Sequence, residues 1–134
     1  MNFEKTSREL IDFIDRSPNA FFAVANMKAI LKENKYTELY EADDWQLKKG
    51  GKYFVTRNDS AIVAFQIPKK DIRGFQIMAS HCDSPAFKVK SNAEITVNNK
   101  YVKINIEKYG GMIMSPWFDR PLSVAGRVIV RSKN

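Results

Sequence analysis

The sequence is poor in cysteine and histidine, with one of each in 134 residues, and it has no long hydrophobic run. With Cys82 alone, no internal disulfide can form, and a cysteine-based metal site would need ligands from elsewhere. No apolar segment approaches the ~20 residues that cross a bilayer. The N-terminus also lacks the charged and then apolar layout of a secretory signal. These absences predict a cytoplasmic protein without a membrane partner.

The chain is basic, with a formal charge of +7 and a pI near 9.5. Clustered Lys and Arg attract polyanions by releasing counterions, so a small basic α/β nucleic-acid-binding module is one interpretation. The lysines are, however, spread along the chain, and many alternate with apolar residues as on a solvated strand face. Ordinary solubility is therefore the favoured explanation, and nucleic acid is the weaker choice of partner.

The first third of the sequence has helical periodicity. With 44% hydrophobic residues, the chain can form a globular domain with an apolar core. Helical spacing predicts an amphipathic helix over residues 3–16, with Asn2 as a candidate cap and Ser17-Pro18 as its end. A second helix is predicted to begin near Asn19, with one apolar stripe that runs as far as Asn34.

Strand patterns begin after the Gly50-Gly51 break. Residues 52–56 and 61–67 are rich in β-branched and aromatic residues, and the polar residues 58–60 between them predict a hairpin turn. The apolar run 75–79 is continuous, which is typical of a strand covered on both faces. A sheet is therefore predicted to follow the helices.

Further strands are predicted at 87–90, in a hairpin over 94–107 that turns at Asn98-Asn99, and at 127–130. The last of these stops four residues from the chain end with no visible partner, which suggests truncation inside a larger fold. The expected fold class is α/β, with N-terminal helices and a mixed β-sheet.

The single histidine is the clearest candidate for chemistry. His81 and Asp83 are separated by one residue, so in extended backbone their side chains point the same way and Cys82 faces the other side. A carboxylate that accepts the N–H of an imidazole fixes its tautomer and aims the other nitrogen at a metal, as is common around zinc. A single His near an Asp is also often only a surface pair. Its place after an apolar strand favours a ligand role, because ligands in open α/β sheets gather beyond strand ends.

The stretch His81-Cys82-Asp83-Ser84-Pro85 and residues 109–120, YGGMIMSPWFDR, are two distinctive motifs. They resemble the His-x-Asp-Ser-Pro element and the later Tyr-Gly-Gly and Trp-Phe-Asp-Arg element of the M18 family of zinc aminopeptidases, which includes the aspartyl aminopeptidases. Ser17-Pro18 and residues 50–58, GGKYFVTRN, look like the family's opening region. The resemblance covers nearly the whole chain, and the segments together are more specific than any one of them.

This resemblance implies the amino-terminal portion of a two-zinc exopeptidase that removes N-terminal residues from peptides, acidic ones in the aspartyl branch, and that forms a homo-oligomer. By position, His81 would ligate one Zn²⁺ ion, and Asp83 would be the catalytic-site carboxylate that holds its imidazole. The remaining ligands and the glutamate general base lie downstream in such proteins. A chain with one histidine is therefore expected to bind metal poorly and to hydrolyse nothing by itself. No substrate-binding residue is predicted.

The resemblance also implies a domain division, with residues 1–115 in the peptidase catalytic domain and residues 116–134 at the start of an inserted β-rich oligomerisation domain. Asp119 is expected to have a structural role near this junction, such as an ion pair with Arg120. A non-catalytic, truncated subunit that docks to longer chains stays open as an alternative.

Three positions depart from the family pattern. Cys82 stands where a small hydroxyl residue is usual, and this change is expected to leave ligation intact because the side chain points away from His81. Pro116 and Pro121 flank the Trp-Phe-Asp-Arg element, where prolines are not typical, so the strand geometry there is expected to differ.

The remaining candidates are assigned structural roles. Glu94 and Glu107 flank the predicted second hairpin and are expected to be solvated or edge-protecting charges. Trp45, Trp117 and Phe118 are expected to anchor a core or an interface, since large aromatic side chains serve packing more often than substrate binding.

Overall fold

The computed structural model describes residues 3–132, and within them two helices precede five strands. The elements are α1 (Phe3–Asp15), α2 (Ala20–Glu33), β1 (Thr37–Leu39), β2 (Lys52–Arg57), β3 (Ala61–Gln66), β4 (Ala86–Val97) and β5 (Tyr101–Tyr109), followed by a short 3-10 helix at Ser115–Trp117. Strands β1 and β2 are parallel, β2 and β3 are antiparallel, and β4 and β5 form a separate antiparallel pair. The predicted α/β class with N-terminal helices and a mixed sheet is confirmed.

The chain forms two compact units. The first unit contains the described residues up to Asp83 together with those from Ala125 onward, and it holds both helices and the sheet β1-β2-β3. The second unit, Ser84–Val124, holds β4, β5 and the 3-10 helix. The domain division expected at residue 116 rests on the family resemblance and stays a prediction.

Helix α1 forms where its periodicity predicts it. Pairs four residues apart, Glu4 with Arg8 and Lys5 with Glu9, lie on its polar face. Its apolar residues Leu10, Ile11 and Ile14 are all exposed. Asn2, the candidate cap, lies outside the described residues. No helix within residues 3–132 is long and apolar enough to span a bilayer.

Helix α2 begins with a side-chain cap. The Asn19 carboxamide oxygen accepts hydrogen bonds from the backbone N–H groups of Phe21 and Phe22 at 3.0 and 3.2 Å. These are two of the donors that a helix leaves unpaired at its N-terminus, which explains why the helix starts at Ala20. Its inner face buries Ala23 and Val24 in the first unit.

The first hairpin, β2 and β3, carries the core of the first unit. Residues 58–60 connect the two strands; Asn58 and Asp59 adopt positive φ angles of 52° and 53°, and the Ser60 N–H closes the turn on the Arg57 carbonyl. Phe54 on β2 is fully buried, as is Val24 on α2. Burial of one such side chain contributes about 1.5–3 kcal/mol. A Cβ atom at Gly51 would collide with the outer end of the Tyr53 ring, so a larger residue where the chain enters β2 would displace that ring.

Strand β1 was not predicted, and an ionic cluster attaches it to α2. The Glu38 carboxylate accepts hydrogen bonds from the ammonium groups of Lys28 at 2.6 Å and Lys32 at 2.8 Å, and its side chain is only 12% exposed. These bonds hold the pKa of Glu38 below its usual range, and the bond from Lys28 has the largest effect. The bond to Glu38 in turn raises the pKa of Lys28.

The second hairpin, β4 and β5, also turns on two residues with positive φ, Asn98 and Asn99, as predicted. A register shift between Val89 and Glu94 joins the two predicted segments, 87–90 and the strand from residue 94, into one bulged strand. Neither strand contains a buried residue.

Trp45, Trp117 and Phe118, which are expected to anchor a core or an interface, each lie beside another aromatic ring. Phe87 packs against Trp117 and Phe118 with ring centroids 5.5 and 6.4 Å apart, and Trp45 stacks on Phe65 at 6.2 Å. None of the three is in the buried core, and Trp45 and Phe118 are 39% and 55% exposed, so their expected role at an interface stays a prediction.

Two strand predictions are wrong. Residues 75–79 and 127–130 are not in strands, and their large apolar side chains are each at least 78% exposed. A strand needs a neighbouring strand to pair with its backbone N–H and C=O groups. No segment within residues 3–132 pairs with either run. An apolar sequence with a preference for β structure is therefore not sufficient to form a strand or to bury its side chains.

Candidate metal-ligand site at His81

His81 lies in the first unit, four residues before Pro85, in backbone that belongs to no helix or strand. Its side chain is 82% exposed. The ring nitrogen Nδ1 is 2.9 Å from the backbone carbonyl oxygen of Asp83 and 3.1 Å from its carboxylate oxygen Oδ1. The contact that the spacing of His81 and Asp83 predicts is therefore present, with the carbonyl oxygen as an additional partner.

The two oxygens at Nδ1 decide where the ring hydrogen lies. A carbonyl oxygen and an ionised carboxylate only accept hydrogen bonds, so Nδ1 has to be the donor. In the neutral ring the hydrogen is then on Nδ1, and Nε2 has a free lone pair. An imidazole held in this way has the tautomer and the fixed orientation of a metal ligand that is supported by a carboxylate.

Cys82 points to the other side, as alternation predicts. Its Sγ donates a hydrogen bond to the backbone carbonyl of Ser60 at 3.2 Å, and the side chain is half-buried. Ser60 directly follows the turn residues Asn58 and Asp59. The segment that presents His81 is therefore attached to the end of the first hairpin.

The described residues fit one ligand position of a zinc site and not a complete site. Catalytic zinc normally takes three protein ligands and an open position. Within the described part of the chain, no group of three or more His, Cys, Asp or Glu residues is arranged to hold a metal ion. The surface grooves along α1 and α2, of about 360 and 350 Å³, do not include His81. No catalytic step follows from these residues alone.

Arg127 has contacts that no sequence pattern predicts. Its Nη1 donates to the backbone carbonyl of Asn58 at 2.8 Å, lies 3.6 Å from the Asp59 carboxylate, and its guanidinium stacks over the Phe21 ring at 4.5 Å. These contacts join the segment after residue 125 to the turn beside Ser60 and to α2. The partners are 69 residues apart in sequence, and no local pattern indicates such a pair.

The other charged candidates do not join His81. Glu107 lies 4.0 Å from the Lys88 ammonium across the second hairpin, and both are largely exposed, as expected of solvated charges. Glu94 is exposed on β4. The expected ion pair of Asp119 with Arg120 is not formed in the described residues: the Arg120 guanidinium is 3.5 Å from the Pro116 carbonyl instead. Asp119 adopts a positive φ of 55°.

The chain resembles known proteins along nearly its whole length. A family model described as Aminopeptidase I zinc metalloprotease (M18) matches residues 13–134. The chain is 51% identical over 130 residues to the probable M18 family aminopeptidase 2 of Clostridium acetobutylicum, covering 96% of this chain and 30% of that protein. It is 45% identical over 127 residues to a probable aspartyl aminopeptidase of Ricinus communis, covering 93% of this chain and 26% of that protein.

Solved structures show the same likeness. The S. cerevesiae mApe1 dodecamer matches with a TM-score of 0.80 and 29% identity over 90% of this chain and 28% of that chain. The chain thus spans about 30% of the length of the curated relatives it matches. The predicted resemblance is confirmed by sequence and by fold.

Proposed function

The chain belongs to the M18 family of zinc metalloproteases, and we propose that it is the amino-terminal part of an aminopeptidase that removes N-terminal residues, including acidic ones, from peptides. The observation that carries the proposal is the His81 ring, held at Nδ1 by Asp83 with Nε2 free, within the family's His-x-Asp-Ser-Pro element. The activity is proposed for the whole protein, because this chain spans 30% of the length of its relative. The comparisons favour this proposal over a nucleic-acid-binding module.

In this proposal, His81 binds one of two zinc ions through Nε2, and Asp83 acts through the ring by holding its tautomer and direction. A bound zinc ion supplies Lewis-acid polarisation of a carbonyl and lowers the pKa of bound water. The family description supports zinc as the metal. The remaining ligands are proposed to come from residues outside this chain, since in the described part no group of three or more His, Cys, Asp or Glu residues is arranged to hold a metal ion.

The assembly and the location are part of the same proposal. The solved relative is named as a dodecamer, which supports a homo-oligomer for the whole protein. A cytoplasmic enzyme acting on peptides is consistent with a single cysteine that forms no disulfide. The domain boundary at residue 116, with an oligomerisation domain after it, is proposed on the family resemblance.

The test uses the full gene product that contains this chain. His81→Ala is expected to lose zinc from the purified protein and to lower aminopeptidase activity by at least ~100-fold, because a metal ligand is removed. Asp83→Asn is expected to weaken zinc binding by about 10–100-fold, the usual effect of losing the group that orients a ligand. Zinc content by elemental analysis and hydrolysis of peptides with N-terminal Asp or Leu are measured together.

A matched control is Lys70→Ala, a change at an exposed side chain in the first unit, which is expected to leave both quantities unchanged. Normal zinc content and normal activity in His81→Ala would contradict the proposed ligand role. Activity on neutral substrates alone would remove the acidic-residue part of the proposal and leave the aminopeptidase part intact.

A further inference from the structure

The direction of His81 is not set by a sheet. Residues 71–85 contain no strand, so no ladder of backbone hydrogen bonds holds this segment in one orientation. The ring is nevertheless placed outward, 82% exposed, with Nδ1 on Asp83. The side chain between these two residues has the opposite environment: Cys82 is half-buried and its thiol bonds to Ser60, 22 residues away in sequence.

This alternation has a simple geometric cause. The Cys82 side chain is bonded to Ser60, whereas its neighbours His81 and Asp83 are 82% and 43% exposed and contact each other. Because the three residues are consecutive, a bond that fixes the middle side chain limits the directions open to both neighbours. We infer that Cys82 is a positioning residue: its hydrogen bond to the Ser60 carbonyl turns His81 and Asp83 together to the outer side, where the ring and the carboxylate meet. The inference rests on the proposed function for its catalytic meaning, since His81 is the proposed zinc ligand.

The acceptor of this bond is itself well fixed. The Ser60 N–H donates to the Arg57 carbonyl at 3.1 Å, which closes the turn formed by Asn58 and Asp59. Arg127 also donates to the Asn58 carbonyl of this turn and stacks on Phe21. The Ser60 carbonyl is therefore a rigid point of the first unit, and a rigid acceptor is what a weak thiol donor needs in order to orient its neighbours.

The first experiment reads the tautomer of His81 by ¹⁵N NMR in the 134-residue chain, where this single histidine gives an unambiguous signal. The wild-type chain and Cys82→Ser, which keeps a donor, are expected to hold the hydrogen on Nδ1. Cys82→Ala removes the donor, and the fraction with the hydrogen on Nε2 is expected to rise about fivefold, the effect of losing one hydrogen bond. An unchanged tautomer ratio in folded Cys82→Ala would overturn the inference.

Folding of each variant is checked by hydrogen exchange of the β2 and β3 amides, which a local change at Cys82 should leave protected. If Cys82→Ala proves unfolded, the wild-type thiol supplies the test. Cys82 is expected to react with a thiol reagent at least ~10-fold more slowly in the native chain than in urea, and Arg127→Ala is expected to speed the native reaction about fivefold. If the native chain is labelled as fast as the chain in urea, the hydrogen bond from Cys82 to the Ser60 carbonyl, called here the Cys82 anchor, does not exist.

The outcomes separate this inference from the proposed function. The tautomer and labelling measurements contain no metal and no substrate, so they test the Cys82 anchor alone. Zinc loss in His81→Ala of the full gene product tests the ligand role alone. If Cys82 affects the His81 tautomer and His81→Ala keeps its zinc, the ligand role is refuted and the positioning role of Cys82 stands. If His81→Ala loses its zinc and Cys82 has no effect on the tautomer, the ligand role stands and the positioning role is refuted.

Discussion

The hairpins β2–β3 and β4–β5 share their turn chemistry and differ in their burial. Each turns on two adjacent polar residues at φ near 50°, Asn58 and Asp59 in one and Asn98 and Asn99 in the other. The first hairpin buries Tyr53 and Phe54, and α2 of its own unit contacts β3. The second is longer, yet none of its residues is buried, and Val102, Ile104 and Ile106 are exposed.

The difference shows that a turn sequence is sufficient to pair two strands locally, whereas a core requires a second layer. An antiparallel sheet normally packs one face on another element and leaves the other face to solvent. Helix α2 supplies that layer to the first hairpin with Ala23 and Val24. In the second unit, Trp117 of the 3-10 helix packs on Phe87, while Val102, Ile104 and Ile106 stay exposed although their pattern is equally strand-like.

The largest test of this contrast is a core truncation. Phe54→Ala removes a fully buried ring and is expected to destabilise the first unit by about 3–5 kcal/mol. Ile104→Ala, at a side chain that is 56% exposed, is expected to cost less than about 1 kcal/mol in the second unit. Amide hydrogen exchange resolved by strand measures both. Equal losses in the two hairpins would contradict the assignment of the core to the first.

A smaller effect is expected at Glu38 and depends on pH. Glu38→Gln breaks the two charged hydrogen bonds between β1 and α2 and is expected to cost about 1–3 kcal/mol at neutral pH. The pKa of Glu38 is lowered in the folded chain, so its stabilisation is present above the usual carboxyl pKa and is lost as the pH falls through the lowered value. Urea unfolding across the acid range measures this.

The same cluster has an alkaline limb and a matched control. The pKa of Lys28 is raised, so its contribution is present at neutral pH and is lost as the pH rises through the raised value. Glu107→Gln on the second hairpin removes an exposed carboxylate and should leave the dependence of stability on acid pH unchanged. If Glu38→Gln and the wild-type chain lose stability in parallel below neutral pH, the cluster does not stabilise the first unit.

The turns should respond alike, because they are what the hairpins share. Asn58→Ala and Asn98→Ala each place alanine at positive φ and are expected to destabilise their own hairpin by about 1 kcal/mol. Glycine at either position tolerates this conformation and should be nearly neutral. Strand-resolved hydrogen exchange reports each hairpin separately. A loss of stability confined to the first hairpin would mean that burial, and not the turn, determines strand pairing.

The smallest effect is expected at the surface pair of Lys88 and Glu107. Their charged groups are 4.0 Å apart and mostly exposed, so Lys88→Ala should change the stability of the second hairpin by less than about 0.5 kcal/mol. The change should become smaller still as salt is added, because salt screens exposed charges. A loss above 1 kcal/mol in urea unfolding would indicate that this pair is more protected from water than its exposure suggests.

Local features were predictable because their causes lie within a few residues. Asn19 caps α2 through N–H groups two and three residues ahead, and Asn98-Asn99 closes a hairpin by its own backbone preference. The strand predicted at 75–79 is absent for the opposite reason. Its composition favours a strand, but strand pairing depends on a neighbouring strand that the described residues do not provide. Strand β1 was missed since it has three residues and depends on parallel pairing with β2.

The candidate site divides in the same way. The contact of His81 with Asp83 follows from a spacing of two residues and was predictable, whereas its anchor was not. The bond from Cys82 to Ser60 spans 22 residues, and the bond from Arg127 to Asn58 spans 69. No periodicity connects such distant positions, so only the folded chain reveals that they meet at one turn.

The sequence by itself determined the helices, the two turns, the family and the residue pair at the candidate site, because each depends on short-range backbone preferences or on a contiguous motif. The tertiary structure decided which hairpin is covered, which apolar runs remain unpaired, and which turn holds the segment that carries His81. Those outcomes depend on contacts between residues that are far apart in the chain. A sequence pattern does not show which distant residues come into contact.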